Sequence, residues 1–168
     1  MSEPPANATL AELLAFANER QAVEDSAAAL RAYERALPQL SGMEVRKERA
    51  LVLFQAAQLA RFEGHVARAF AFYDELIPLA AELVDARAHG LAVAMRGQLT
   101  FMQGEKPDGI LGMIRGLEEL RGCGATEAEH LACHTRFFSR RLAAAEFERC
   151  VHAATEDEEL RRMLLAAD

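Results

Sequence analysis

The residues best equipped for chemistry lie near the C-terminus. Glu127-Ala128-Glu129-His130 contains a Glu-x-x-His step, and Cys133 and His134 follow within about one helical turn. On a helix, positions i and i+4 share a face, so His130 and His134 form a pair able to hold a metal ion, with Cys133 as a third ligand type. Cys150 and His152 add two more. A di-iron bundle would need a second Glu-x-x-His, and the chain has none. If 126–152 is one straight helix, Cys150 lies roughly 25–30 Å from His130, too far for a shared tetrahedral site. Only a sharp turn at Ser139-Arg140-Arg141 would close that distance. The favoured reading is therefore surface histidines and a buried cysteine, with His130, Cys133 and His134 as the alternative metal set.

Other chemical signals are weaker. Gly109-Ile110-Leu111-Gly112 followed by Gly116 mimics a phosphate-binding loop, but it sits in a helical pattern with no strand before it. These glycines are better suited to close helix–helix approach, at about 1 kcal/mol each in helix propensity. There is no Gly-x-Ser-x-Gly, and the adjacency of Cys133 and His134 in sequence is not a catalytic dyad. The expectation is a protein that is not an enzyme and carries no cofactor.

The formal net charge of −7 argues against nucleic-acid or anionic-membrane partners, which need clustered cations. No basic run is longer than Arg46-Lys47 or Arg140-Arg141. Met1-Ser2-Glu3-Pro4-Pro5 has no basic region leading into an apolar stretch, so no secretory signal is expected. Nothing approaches 18 uncharged apolar residues, so no membrane span is expected. Three cysteines without framework spacing fit reduced thiols in a cytoplasm.

The elements that must position these residues recur with a period of 40. The only two tyrosines are Tyr33 and Tyr73, and Pro38 and Pro78 repeat the interval. Around them stand Leu13, Leu53 and Val93; Ala17, Ala57 and Gly97; Ala29, Ala69 and Gly109; Leu30, Phe70 and Ile110; and Leu37, Ile77 and Leu117. A fixed period of this length marks helical units that bury their apolar faces by stacking. The chain is rich in Ala, Leu, Arg and Glu, all good helix formers, so an all-α fold is predicted.

Residues 1–8 read as a disordered leader. Apolar spacing and breaks then predict three hairpins: 10–22 with 26–39, 43–62 with 66–82, and 86–102 with 107–121. Thr9 with Glu12, Ser41 with Glu44 and Thr126 with Glu129 match the capping box, and Asp85 is a fourth candidate N-cap. Pro38 and Pro78 should kink or end the last turn of their helices. After Gly122-Cys123-Gly124-Ala125 the repeat fails. Residues 126–152 read as one long helix, bent near Ser139, and 156–166 as a short last one. The acidic run Glu156-Asp157-Glu158-Glu159 suits the N-terminus of that last helix.

The segment Ala57-Gln58-Leu59-Ala60-Arg61-Phe62-Glu63-Gly64-His65-Val66-Ala67-Arg68-Ala69-Phe70-Ala71-Phe72-Tyr73-Asp74-Glu75-Leu76 resembles a tetratricopeptide repeat. It has a small residue in the first helix, Gly at the turn, Ala early in the second helix and an aromatic four residues later. Ala29, Tyr33, Ala36 and Leu37 repeat the second half. Gly97, Gly104 and Gly109 fit a third unit, with Met113 replacing the aromatic. The unit is about 40 rather than 34 residues long, similar to the longer variety found in bacterial regulatory and scaffold proteins. The resemblance implies a right-handed α-solenoid, with repeats 9–40, 41–82 and 85–121 and C-terminal capping helices in 126–168.

It also implies a concave face that holds a peptide or helix of a partner protein. Carried over residue by residue, that face has three rows: Asn18, Gln58 and Gln98; Gln21, Arg61 and Phe101; and Leu14, Phe54 and Ala94. Stacked amides donate and accept together, so they can clamp the backbone of an extended ligand. Phe54, Phe62, Phe101 and Met102 suit a partly hydrophobic one. The expected function is a protein–protein interaction scaffold. The alternative is a helical sensor domain binding a small ligand or metal through the C-terminal His, Cys and Glu residues. If Leu160, Met163, Leu164 and Leu165 find no home on the last repeat, they should bury in a second copy.

Overall fold

The computed structural model describes residues 3–166, and every regular element among them is helical. Two compact units divide at Leu79, the first Met1–Leu79 and the second Ala80–Asp168. Met1, Ser2, Ala167 and Asp168, at the ends of the expected leader and cap, lie outside the described residues.

The α-helices are α1 (Leu10–Ala22), α2 (Ser26–Ala36), α3 (Arg46–Phe62), α4 (Val66–Glu82), α5 (Ala86–Met102), α6 (Lys106–Gly122), α7 (Glu127–Ser139), α8 (Ala144–Ala154) and α9 (Glu158–Leu165). The predicted hairpins coincide with the first six. All the connections up to α7 except that between α2 and α3 share one backbone geometry. Glu24, Gly64, Val84, Gly104 and Gly124 all have φ between 56° and 102°. At four of these turns an N–H reaches back five residues: Asp25 to the Arg20 carbonyl, His65 to Ala60, Asp85 to Ala80 and Ala125 to Leu120, at 2.8–3.0 Å. This is the left-handed helix stop that satisfies orphan carbonyls. Glycine takes it without steric cost, whereas Glu24 and Val84 do not.

Helix starts are mixed. Thr9 and Glu12 form the full capping box, and Asp85 caps α5 by accepting from Ala88 N. Asp25 and Asp157 cap α2 and α9 in the same way. The other two predicted boxes do not form. The chain after Ser41 enters a 3-10 turn at Met43–Val45 before α3, and Thr126 itself takes helical angles, so its hydroxyl caps nothing. Pro38 lies in a 3-10 turn that ends α2, as expected. Pro78 does not end α4, which continues to Glu82.

Several positions 40 apart are buried alike. Ala17, Ala29, Ala57 and Ala69 are all fully buried, as are Leu53, Tyr73 and Leu76. In the first unit α2 packs on α1 and α3. Residues 3–8 have no helix or strand but touch the first unit. Ala8 is buried with Leu13 and Ala36, Gln39 Nε2 donates to the Ala8 carbonyl at 3.1 Å, and Arg35 Nη1 donates to that of Pro4 at 2.9 Å. These residues lack a regular element because of their prolines, yet their carbonyls are held by side chains of and just beyond α2.

In the second unit α5 and α6 form the tightest pair. Gly97 faces Gly109 and Gly112, and Gly90 faces Gly116, so the two backbones touch where side chains would stand. That is the close approach expected of these glycines. The predicted long helix 126–152 is two helices. The chain leaves α7 at Arg140 and turns through Ala143, which is extended (ψ 144°), into α8. The turn lets Phe138 and Phe147 both reach the core built on Ile110, Ile114 and Leu117. Leu160 and Leu164 of α9 join that core, with Met163 packed at its edge. Three of the four apolar residues of α9 thus find a place within their own unit, while Leu165 stays 37% exposed.

Candidate functional site

The first unit brings together side chains that are polar but sheltered. The Tyr33 hydroxyl, at the end of a ring rooted in α2, donates to Gln21 Oε1 at 2.7 Å and reaches Asn18 Oδ1 at 2.9 Å. Gln21 Nε2 then donates across to Gln55 Oε1 of α3 at 3.1 Å. On α3, Arg61 Nη2 donates to Gln58 Oε1 at 3.1 Å, and its guanidinium stacks 5.1 Å above the Phe62 ring. Helical spacing explains the grouping. Asn18 and Gln21 are three apart on α1, and Gln55, Gln58 and Arg61 are three apart on α3, so each set forms a stripe. Asn18 is exposed, while Gln21, Phe54, Gln58 and Arg61 are half-buried.

Three residues of the expected partner-binding rows, Ala94, Gln98 and Phe101, belong to the second unit, and Ala94 is fully buried. Gln98 is half-buried on α5. Phe101 is not on an open face: it is 4% exposed and packs edge-on against Phe138 at 4.9 Å. Position 101 thus departs from the pattern of Gln21 and Arg61, because α7 lies over it. Gln55, which links the two stripes, went unnoticed in the sequence. It stands three residues before Gln58 on the same face, and that spacing was the available signal.

The C-terminal ligand set does not converge. His130, Cys133 and His134 are all exposed on α7. Glu127 is engaged by Arg87, whose hydrogen bonds hold its carboxyl below the usual range. The turn after Ser139 exists, but it buries Cys150, with Sγ 3.8 Å from the Pro107 carbonyl. Burial pushes that thiol up, away from the thiolate a metal needs. Among the described residues no three His, Cys, Asp or Glu side chains are grouped to hold a metal ion.

Two clefts open in the second unit. One, about 390 Å³, is lined by Arg136, Ser139, Arg140, Phe147 and Leu164 among others. Ser139 donates to the Arg136 carbonyl at 2.8 Å, and no histidine lines this cleft to act as its base. The other, about 210 Å³, runs beside Val84, His89 and Glu119, where His89 Nδ1 lies 2.5 Å from Glu119 Oε2. Its lining has no serine, threonine or cysteine.

Comparison with protein-family models, with curated proteins and with solved structures finds no match to this chain.

Proposed function

We propose that the chain is a non-enzymatic, tetratricopeptide-like interaction module, a helical-repeat scaffold that takes a segment of a partner protein along the polar stripes of α1 and α3. The observation that carries this reading is the amide cluster of Asn18, Gln21, Gln55 and Gln58. These groups donate and accept in one place, which suits the backbone of an extended chain. The recurring helix pairs and their repeated turn geometry support the repeat reading. The three free thiols fit a reducing cytoplasm. No described helix is long and apolar enough to cross a membrane.

The test is selection of displayed peptides on the wild type and on a Gln55→Ala, Gln58→Ala double variant whose far-UV circular dichroism is unchanged. A sequence motif enriched on the wild type and lost on the variant is expected. No enrichment over an unrelated helical protein, or equal enrichment on both proteins, would refute the proposal.

A further inference from the structure

The two tyrosines stand at equivalent positions of successive repeats, yet only one hydroxyl is satisfied by protein. Tyr33 has Asn18 and Gln21; moved by 40 residues, those partners become Gln58 and Arg61. The exchange of an amide for a guanidinium removes an acceptor and adds a charge. Gln58 Oε1 is already taken by Arg61 Nη2. The Tyr73 ring is wholly buried, and its hydroxyl meets no hydrogen-bond partner; the buried Arg61 Nε–H meets none either.

A buried polar atom without a partner is costly, and a sheltered charge without a counter-charge more so. In the same unit Arg20, Arg31, Arg49 and Arg68 each meet a carboxylate. Arg61 meets none among the described residues. Burial holds the Tyr73 phenol in its neutral form, while the Arg61 charge pulls the other way, so the two groups sense one another. Tyr73 O–H and Arg61 Nε–H are therefore two buried donors without an acceptor among the described residues, and the Gln58 amide is hydrogen-bonded to the same guanidinium.

We propose that Arg61, Tyr73 and Gln58 form an oxyanion-binding site in the first unit, taking a single carboxylate or phosphate group carried by the bound partner segment. It rests on the reading of the α1 and α3 stripes as a partner-binding face. An oxyanion supplies several lone pairs and a negative charge, matching these donors. Arg61 also lies beside Gln58, so the same side chain that stiffens the amide stripe would set the register of the segment.

The chain has no tryptophan, so in a Tyr33→Phe background Tyr73 is the only tyrosine reporter. The full chain, labelled with carbon-13 at tyrosine Cζ, is titrated with sodium acetate, sodium phosphate and sodium chloride at matched ionic strength. A saturable Tyr73 shift is expected with acetate or phosphate and not with chloride. The stronger of the two identifies a carboxylate or a phosphoryl source. Arg61→Gln should weaken that response at least about tenfold, the scale of one charge-assisted hydrogen bond. It should also shift the Tyr73 signal without any anion, because the phenol regains the acceptor that Gln21 gives Tyr33. A response no different from chloride, or one unaffected by Arg61→Gln in a folded protein, overturns the proposal and leaves a bridging water as the partner of these atoms. If the anions fail while displayed peptides still show a motif, this inference falls alone. If the anions bind and no peptide motif emerges, the site stands and its partner-borne source is refuted.

Discussion

Adding one methyl group to α6 should have opposite effects at positions only six residues apart. In an ordinary helix interior, Gly→Ala stabilises by about 1 kcal/mol. At Gly116 a Cβ would lie 2.7 Å from the Ala94 Cβ and 2.8 Å from the Ala94 backbone nitrogen, with the Gly90 carbonyl closer still. Ordinary contact for such atoms is 3.4–4 Å, and backbone on the facing helix cannot swing aside as a side chain would. The α5–α6 seam must open by roughly 1 Å, loosening Ile114, Leu117 and Leu120 around it. Overpacking of this kind costs about 1–3 kcal/mol, and opening the seam also forfeits dispersion contacts along it. The propensity gain of about 1 kcal/mol offsets only part of this. A net loss of about 1–2 kcal/mol is expected for Gly116→Ala, which lowers the melting temperature by roughly 3–8 °C in a chain of this size. At Gly122, the last residue of α6, an added methyl would meet nothing within 4 Å, so Gly122→Ala should be neutral or slightly stabilising. Thermal melts followed by circular dichroism compare the two variants with the wild type. If Gly116→Ala melts as high as Gly122→Ala, the close-approach argument is refuted.

Two further outcomes follow from local strain and burial. Val84 holds φ 56° while 89% exposed, at the position where Gly64, Gly104 and Gly124 stand in other turns. A left-handed β-branched residue costs about 1–2 kcal/mol, part of which glycine returns as unfolded-state entropy, so Val84→Gly should stabilise by about 0.5–1 kcal/mol; a urea midpoint that stays put or falls would contradict this. Burial raises the phenols of both Tyr33 and Tyr73 above their usual range, and both are neutral in the folded state. Their stabilising contribution is complete below the unfolded tyrosine range near pH 10 and declines as pH rises through it. Tyrosinate absorbance should therefore appear together with loss of helix; a normal titration in the folded protein would show that the rings are accessible.

Much of the helical layout was legible because helix ends are local. Gly64, Gly104 and Gly124 stop helices through their own φ freedom, and Thr9, Asp85 and the acidic start of α9 begin them through side chains two or three residues away. The 40-residue spacing matched burial at Ala17 and Ala57, Ala29 and Ala69, and Tyr33 and Tyr73, but not at Phe101. The break between α7 and α8 carried no such mark. Residues 140–143 contain neither glycine nor proline, and the chain turns there because both Phe138 and Phe147 gain burial against α6.

From the amino-acid sequence alone came the all-helical class, the helix pairs and the glycine seam, because each depends on residue type and spacing along one chain. Tertiary structure alone decided that residues 3–8 pack on the first unit, that Phe101 is covered by α7, and that Leu160 and Leu164 of α9 are buried within the second unit. It also decided that Tyr73, unlike Tyr33, has no acceptor among the described residues. Those outcomes depend on which surface another segment happens to cover and on which lone pair is already taken. Neither is encoded in the period of a repeat.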